Sequence, residues 1–551
     1  MVAEVEVAVQ VHARAEEVKR SILTTTGMRS FQISLSVILM FFCSQVFSQG
    51  FVENALLFSR TKPGGSARIQ GMGGAQVALG GDYSSALANP AGLGMYNRSE
   101  FTFSPGLNFY NSNSTLLNHT GTNTADDSKT VFNIPGLSYV HHSPRESGNF
   151  LGGSFAITMT RTNDFQNAFQ YQGRDNATSI IDYFEQMAQG YSINTVPSPY
   201  SDIPLLNFDA PEGLAYQTFL ITPYNEDPDN TSPSLPDDYI NYFSELDTLG
   251  DEVRTVNRNG RVNLRGAQYQ WSFAYGGNIS DKFFFGAAVG VTTLRYKYAS
   301  AYTERNFTFS SGYPSPLDDL TLNENIEIDG SGVNLTLGVI YRFVDFAQVG
   351  VSLVTPTYYT LTDTYSARLR ANWDSSVRSD EDISSEPIVS EYNLITPMKL
   401  STGLAFFVGK YGVVSGDVEF VNYGKARYNS DTPGVSFKPD NNDVKYYYSN
   451  VINYRIGAEA RIGIVRVRGG YNLQNNPYKN TFNLGSSVTT ISGGVGVRLD
   501  KFFIDGTFLN TRYNSSYSPY TVTDADNNVV GPVARLKNTM NSAMLTVGFT
   551  F

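Results

Sequence analysis

Short stretches in which apolar and polar residues alternate recur along most of the chain. The clearest is residues 543–551, where every second side chain is apolar and the residues between them, apart from Met544, are small or polar. Residues 268–278 repeat the pattern, with four aromatic residues on one face. A period of two places successive side chains on opposite faces of a β-strand. The chain is therefore predicted to be all-β.

Fourteen strands are predicted, and the connections between them alternate in length. The predicted segments are residues 99–110, 131–142, 149–162, 267–280, 282–298, 323–343, 346–369, 392–409, 412–428, 446–462, 464–476, 486–500, 501–514 and 534–551. Tight turns, as at residues 280–282 and 410–411, alternate with long polar loops, the longest being residues 163–266. This asymmetry and the even count are typical of a transmembrane antiparallel β-barrel with its long loops outside the cell. Closure is expected because an open sheet edge would leave unpaired backbone groups in lipid.

The composition favours the same architecture. Tyr (35), Phe (36) and Gly (49) are abundant and charged residues make up only 17%, yet the mean hydropathy is −0.23. An alternation of lipid-facing and lumen-facing residues produces this combination. A soluble propeller or long sandwich is the alternative, but it gives no reason for the alternating connections. The net charge of −11 argues against nucleic acid as a partner, because phosphates attract basic surfaces.

Residues 28–48 have the parts of an export signal. Arg29 is positive, residues 33–42 are apolar, and Val46-Phe47-Ser48 form a small-residue cleavage site before Gln49. The preceding residues fit no targeting class, so Met28 is favoured over Met1 as the start.

The single cysteine, Cys43, lies within this leader. A lipoprotein acylated on Cys43 is the alternative to simple cleavage, but the bulky Phe42 before it disfavours that processing. The mature chain is therefore expected to contain neither a disulfide nor a thiolate metal site.

Residues that could carry chemistry are few. His119, His141 and His142 suggest neither paired haem ligands nor a Ser–His–Asp arrangement. Residues 524–528 resemble the start of a calcium loop, but they lack its Gly and its closing Glu, so a solvated turn is favoured. No catalytic residue, metal or cofactor is predicted.

One set of charged residues alternates with apolar residues over consecutive predicted strands near the C-terminus. Because a charge facing lipid near the midplane costs about 2–4 kcal/mol for Arg, this charged wall is expected to face the lumen. It either fills the lumen through mutual ion pairs or holds a segment inside the barrel. Its members are Asp417, Glu419, Arg455, Glu459, Arg461, Arg466, Arg468, Arg498 and Asp505.

The glycine-rich residues 71–94 end in Asn89-Pro90-Ala91-Gly92-Leu93. This stretch resembles the N-terminal hatch of the FadL/TodX family of outer-membrane channels for long-chain fatty acids and aromatic hydrocarbons. Motifs in the barrel, including residues 332–342, 355–358 and 417–423, are similar to the Bacteroidetes-type branch of that family.

The resemblance implies three parts and a function. Residues 1–48 form an N-terminal extension and cleaved signal, residues 49–98 a plug inside the lumen, and residues 99–551 the barrel. The implied function is passive uptake of a hydrophobic small molecule across the outer membrane, with residues 89–93 as a gate. Outer-membrane lipid, lipopolysaccharide and the insertion machinery are the other expected partners. A barrel subunit of an outer-membrane assembly or secretion complex is the alternative, and a hydrolase is a more remote one.

The loop at residues 163–266 is unusually long for this family and is predicted to hold two helices. The first places Ile180, Ile181, Phe184, Met187 and Ala188 on one face and ends at Gly190, and the second covers residues 211–221. The loop is interpreted either as a lid packed on itself or as an apolar surface that captures ligand at the barrel mouth.

Overall fold

A computed structural model describes the protein over most of its length. It describes residues 45–117, 123–145, 148–175, 178–191, 193, 205–224, 241–244, 253–309, 315–479, 485–524 and 528–551. The predicted signal up to residue 44, with Cys43, and His119 lie outside these ranges. The first helix, Gln45–Ser59, includes the predicted cleavage site before Gln49.

The architecture is a closed antiparallel barrel of 14 strands. The strands are β1 (Glu100–Leu116), β2 (Thr124–Pro144), β3 (Phe150–Asp164 and Asn167–Asp175), β4 (Val253–Ile279), β5 (Phe283–Phe309), β6 (Leu317–Val344), β7 (Ala347–Val354 and Tyr358–Trp373), β8 (Ile388–Ile395 and Lys399–Val408), β9 (Gly412–Asn422 and Arg427–Asn429), β10 (Asn450–Ile462), β11 (Val465–Gln474), β12 (Val488–Arg498), β13 (Phe502–Tyr517) and β14 (Ala534–Thr550). Each strand pairs with the next, and β14 pairs with β1, as between Phe549 and Phe101. The predicted fold class and strand count are confirmed.

The outer face of the barrel carries an apolar belt. On β6 the outward-facing Leu335, Leu337 and Val339 are exposed, whereas Thr336 between them is buried in the interior. Tyr341, at the end of this row, is also exposed, and aromatic residues commonly mark the membrane interface of such barrels. This belt is the part of the barrel that spans the outer membrane.

Several strands extend further than the alternation predicts. The longest loop was expected over residues 163–266, but β3 continues to Asp175 and β4 begins at Val253. These extensions lie above the belt, where both faces contact water or protein, so polar residues such as Asn257 and Asn259 interrupt the two-residue pattern. Alternation therefore marks the lipid-facing part of a strand and not its extracellular end.

The helices are α1 (Gln45–Ser59), α2 (Ala67–Gly71), α3 (Ser85–Ala88), α4 (Ile180–Ala188), α5 (Pro211–Gln217) and α6 (Lys438–Tyr447), with 3-10 helices at Pro90–Met95 and Tyr423–Lys425. Short strand pairs add to the outer loops: Ile221–Tyr224 with Asn241–Ser244, Glu381–Ser384 with β7, and Val522–Thr523 with Val529–Val530. Within the described ranges, no helix combines the length and the apolar character needed to cross a membrane.

The first predicted outer-loop helix is confirmed, and the second is shorter than predicted. Helix α4 begins at a capping box in which Ser179 and Asp182 bind each other's backbone. Helix α5 ends at Gln217 rather than at residue 221. Its end is set by Phe219, which has a left-handed φ of 59°, and the chain then enters the strand Ile221–Tyr224.

We expect Leu337→Arg to lower the free energy of unfolding of the inserted barrel by about 2–4 kcal/mol, since Leu337 lies midway along the apolar face of β6. Val377→Arg is the matched control, because Val377 is exposed beyond β7 and a surface change there should matter by about 0.5 kcal/mol or less. Guanidinium unfolding in phospholipid vesicles measures both variants. Equal effects would contradict the position of the belt.

Candidate functional site: the lumen and the segment inside it

Residues 60–96, here called the inner segment, lie inside the barrel. They contact inward-facing atoms of every wall strand, at Ser104, Gly136, Thr162, Gly277, Gly286, Gly338, Gln348, Gly403, Asp417, Gly457, Gly470, Ser492, Thr507 and Thr546, in order from β1 to β14. A segment that contacts all the strands of a closed barrel lies within its lumen. Most of its residues are buried, including all of residues 90–94.

Asn89 joins the inner segment to two wall strands. Its Nδ2 donates to the carbonyl of Val77 at 2.7 Å and lies 3.3 Å and 3.4 Å from the carbonyls of Val339 and Val351. Its Oδ1 accepts from the amide of Ala91 and so caps the 3-10 helix Pro90–Met95. The sequence predicts a tight turn here, and the structure has a capped 3-10 helix instead.

Glycines on the inner wall make room for this segment. At seven of them a Cβ would overlap backbone or side-chain atoms of the inner segment: Gly136 at Tyr83, Gly276 and Gly286 at Pro90, Gly338 at Asn89, Gly350 at Val77, Gly457 at Met72 and Gly470 at Gly73. Only glycine permits such a close approach between two backbones. The inner segment and the wall are therefore fitted to each other at the level of backbone contact.

Gly92 and Gly94 of the inner segment have different contacts. Gly94 faces the wall, because a Cβ there would lie 2.5 Å from the carbonyl oxygen of Gly277. Gly92 instead packs against Gly80, with which it would overlap at 2.8 Å. Of these two glycines, Gly94 is therefore the one that approaches the wall. Leu93 is fully buried and packs with Tyr83, Ala86 and small residues of β2 to β5.

Part of the charged wall forms one ion-pair network around Glu459. Arg468 donates to Glu459 at 2.8 Å and to Asp505 at 2.6 Å, and Arg461 approaches Glu459 at 2.9 Å. Arg68 of the inner segment reaches the same carboxylate at 3.2 Å. Such multiple pairing offsets the cost of burying these charges. Arg498 extends the network, 3.6 Å from Asp505.

A second group of the charged wall lies on β9 and β10. Arg455 pairs with Glu419 at 2.8 Å. Among the described residues, the neighbouring Asp417 makes no such ion pair. Instead, its Oδ2 accepts from the backbone amides of Gln76 and Val77 of the inner segment, at 2.6 Å and 3.0 Å. Charge-assisted bonds of this kind are about twice as strong as neutral ones.

Arg466 joins neither of these two groups. Its Nη1 donates to the carbonyls of Gly463 and Val465 at the turn between β10 and β11. It is half-buried and lies directly opposite Arg461 at the end of the β10–β11 pair, and therefore on the same face of the wall. The role of the charged wall as a whole stays a prediction.

An aromatic layer lies inside the extracellular half of the barrel and is filled by α1. Val52, Ala55 and Phe58 of α1 pack against inward-facing residues of β5 to β10, among them Tyr296 and Tyr359. The backbone carbonyl of Val52 also accepts from the hydroxyl of Tyr448 at 3.0 Å. The layer therefore buries apolar groups that belong to the chain's own N-terminal part.

Above this layer, the outer loops cover the barrel mouth. Helices α4 and α5 pack into an apolar cluster with the extended ends of β4 to β7. Glu304 of β5 is fully buried there, accepts from the Ser179 hydroxyl at 2.6 Å and lies 3.7 Å from Nε of Arg258. This packing agrees with the interpretation of the loop as a lid packed on itself.

The hydrogen-bond ladder of the wall is interrupted between β2 and β3. Their pairing ends at Gly136 opposite Thr160, and from Thr124 to Asn133 the described part of β2 pairs only with β1. The continuation of β3, Asn167–Asp175, pairs with β4 and turns inward. There Asn167 accepts from Ser112 of β1 at 3.0 Å. The wall has an opening at this position.

Three cavities follow one another from the extracellular side to this opening. The mouth cavity, about 210 Å³, lies between α1 and the ends of β11 to β13, and Val488 lines both it and the lumenal cavity of about 120 Å³. Asn133 and Arg161 line both the lumenal cavity and the wall cavity of about 760 Å³, which lies at the interrupted ladder. Each cavity therefore shares lining residues with the next one in this order.

His142 and Asp524, which the sequence also singled out, do not line these cavities. His142 contacts Ser154 near the periplasmic end of β2. Asp524 accepts from the amide of Asn528 at 2.8 Å, which closes a turn. The sequence reasoning missed Arg68, Arg161 and the wall glycines. The glycines had a signal, since they recur at inward-facing positions of successive predicted strands.

We expect Glu459→Gln to destabilise the barrel by about 3–5 kcal/mol, because it leaves the buried guanidinium groups of Arg68 and Arg468 without their shared carboxylate. Glu327→Gln is the matched control: Glu327 pairs with Arg295 at 2.9 Å on the outer surface, and exposed pairs contribute about 1 kcal/mol or less. Denaturant unfolding in vesicles compares them. A loss at Glu459 no larger than at Glu327 would contradict the network.

Comparisons of the sequence alone identify no relatives: no protein-family model matches, and no curated protein matches. Comparison of the structure does. A FadL homologue from Pseudomonas aeruginosa matches with a TM-score of 0.52 and 10% identity, over 89% of this chain and 99% of that chain. The Pseudomonas putida toluene transporter TodX has a TM-score of 0.48 and 13% identity, over 89% and 99% of the two chains.

The similarity to the FadL homologue covers most of this chain and nearly the whole of that one. At 10% identity it concerns the fold. The assignment to the Bacteroidetes-type branch stays a prediction. The chain has the fold of the FadL-type outer-membrane channels.

Proposed function

We propose that this protein takes up hydrophobic small molecules across the outer membrane by passive transport. The observation that carries the proposal is the series of three cavities, which runs from the mouth through the lumen to the interrupted ladder between β2 and β3. A solute that leaves through this opening enters the membrane sideways. A hydrophobic solute gains by that exit, because it moves into hydrocarbon rather than into water.

The aromatic layer supports an affinity for apolar groups. Its tyrosines and aliphatic residues enclose Val52, Ala55 and Phe58 of α1, so the same surface is suited to an apolar ligand that takes the place of part of α1. Ligand pockets are mostly apolar with a few polar groups that fix orientation. Long-chain fatty acids and aromatic hydrocarbons, the classes implied by the family resemblance, both satisfy this requirement.

The inner segment is proposed to be the gate. It fills much of the lumen, and the hydrogen bonds at Asn89 and Asp417 are among those that hold it to the wall. A gate requires two arrangements close in free energy, with ligand binding better to the open one. The charged wall is then a support for the closed arrangement, through Glu459 and Arg68.

The first test concerns the opening. Asn133→Trp places a large side chain where the lumenal and wall cavities meet, so uptake of a hydrophobic compound into vesicles should fall by about tenfold or more, a barrier increase of about 1.4 kcal/mol. Phe273→Trp, which enlarges an exposed side chain on the apolar belt, is the control and should leave uptake unchanged. Unchanged uptake in a folded Asn133 variant would show that the solute takes another route.

The second test concerns the gate. Deletion of residues 85–95 removes the segment that contacts β4 to β7, and we expect an inserted, heat-modifiable barrel with raised non-selective conductance in planar bilayers. Uptake of a hydrophobic compound should also lose its saturation. If neither conductance nor uptake changes, the segment is not a gate, and a role as a subunit of an outer-membrane complex becomes the better account.

A further inference from the structure

A group of basic side chains lies on the outer surface of the barrel, on the extracellular side of the apolar belt. Arg265 of β4 and Arg295 of β5 are exposed, and Lys297 of β5 is half-exposed. The residue between the last two, Tyr296, is buried in the interior, so Arg295 and Lys297 point away from the lumen. These three residues and Lys129 of β2 are here called the cationic rim.

Two cations of the rim face each other without a carboxylate between them. Arg265 lies directly opposite Lys297 in the antiparallel pairing of β4 with β5. Side chains at such positions share a face with their Cβ atoms about 4.5–5.5 Å apart, and like charges there are destabilising. None of the ion pairs among the described residues involves Arg265, whereas the next outward arginine of β4, Arg261, pairs with Asp127 at 3.5 Å. An anion bound between Arg265 and Lys297 would remove their repulsion.

Lys129 brings an ammonium group to the same place. It reaches from the edge of β2 across the opening, and its Nζ donates to the carbonyl of Leu264 at 2.7 Å and to Oδ1 of Asn263 at 3.0 Å. Leu264 immediately precedes Arg265 in the chain. Because both acceptors are uncharged groups, Lys129 adds a positive charge that these bonds leave uncompensated.

Two carboxylates beside the rim compensate part of its charge. Glu327 of β6 pairs with Lys297 at 2.6 Å and with Arg295 at 2.9 Å, and Asp329 pairs with Arg295 at 3.1 Å. Every side chain in these pairs is more than one third exposed, and exposed ion pairs are weak. The four cations of the rim outnumber these two carboxylates, so an excess of positive charge remains to attract an anion.

The rim lies at the level of the lipid headgroups. Val291 of β5 and Val333 of β6 are exposed apolar residues that face each other at the extracellular end of the belt. Arg295 follows Val291 by four residues, which is about 13 Å further along the strand. A strand tilt of about 35–45° reduces this to roughly 10 Å along the membrane normal. The rim is therefore beyond the hydrocarbon and within reach of the polar headgroups.

We propose that the cationic rim binds the phosphate groups of a phosphorylated lipid in the outer leaflet. A guanidinium such as that of Arg265 pairs with a phosphate through two parallel hydrogen bonds, and the ammonium groups of Lys129 and Lys297 add point charges on either side. Lipopolysaccharide, which carries phosphates on its lipid A, is the lipid of this chemistry in an outer membrane. This binding is separate from the proposed uptake and does not depend on it.

The wall cavity has room for the rest of such a lipid. It measures about 760 Å³, and Arg295 and Asp329 of the outer surface line it together with Phe132 and Tyr269. A phosphate held at the rim places the polar head of the lipid over the Arg295 side of this cavity. The acyl chains then lie along the apolar belt below. The bound lipid would therefore cover the outer side of the interrupted ladder between β2 and β3.

The test compares diphosphorylated lipid A with the same lipid after removal of both phosphates, so that the acyl chains are identical. Labelled lipid is titrated against the full-length protein in a non-ionic detergent. EDTA is present so that no divalent cation bridges the phosphates to Glu327 or Asp329. The wild type should bind the phosphorylated form about tenfold more tightly. The double variant Arg265→Gln/Lys297→Gln should lose this preference and keep its affinity for the dephosphorylated form.

Arg368→Gln is the matched control, because Arg368 is an exposed arginine paired with Asp382 in an outer hairpin of β7. It should keep the preference for the phosphorylated lipid. Glu327→Gln should strengthen that preference by about threefold, because it removes a carboxylate that competes with the phosphate for Lys297 and Arg295. If the double variant fails to insert, judged by heat modifiability, Glu327→Gln decides the question.

Equal binding of the two lipids by the wild type overturns the proposal, as does a preference that survives in the inserted double variant or stays unchanged in Glu327→Gln. Inorganic phosphate offers the same chemistry without a membrane, so it is added as a competitor at millimolar concentration. Full displacement of the lipid would assign the rim to free phosphate and overturn the proposal, whereas retention of the lipid supports it. None of these outcomes bears on uptake, which the Asn133→Trp variant tests separately.

Discussion

Every backbone amide and carbonyl within the bilayer needs a hydrogen-bond partner in the protein, because lipid supplies none. The closed ladder from β1 to β14, completed by the pairing of Phe101 with Phe549, meets this requirement. Closure divides the barrel into two faces. The outer face must be apolar because it contacts lipid, whereas the inner face need not be apolar. The lumen that the inner face encloses is either filled by protein or left open.

The filling of the lumen depends on three kinds of contact. Glycines such as Gly286 and Gly470 let the inner segment lie against the wall, and buried charges such as Glu459 and Asp417 bind it at defined positions. Apolar residues of the segment also pack on the wall, as Leu93 does. Shape, hydrogen bonding and apolar packing therefore hold the segment together.

The interruption between β2 and β3 is the exception to the closed ladder. The edge of β2 from Thr124 to Asn133 lacks a partner strand on one side, and above the opening Lys129 crosses to β4 and donates to the carbonyl of Leu264 at 2.7 Å. An unpaired edge is a cost that a purely structural barrel avoids. Its position beside the lumenal cavity is the feature that the proposed function interprets as an exit for a solute in the plane of the membrane.

The sequence by itself determined the barrel and its fourteen strands. It could do so because lipid on one face imposes a period of two that a local reading detects. The sequence did not show how far the strands extend on the extracellular side, as at residues 253–266. These ends contact water instead of lipid on the outside, so their outward-facing residues need not be apolar and the period of two is lost. Only the tertiary structure brought Arg68 to Glu459, Asn89 to Val339 and Lys62 to the cavity lined by Arg161, since these partners are far apart in the chain and share no local pattern. The opening in the wall also depends on the tertiary structure, because it is set by the residue at which the pairing of β2 with β3 stops.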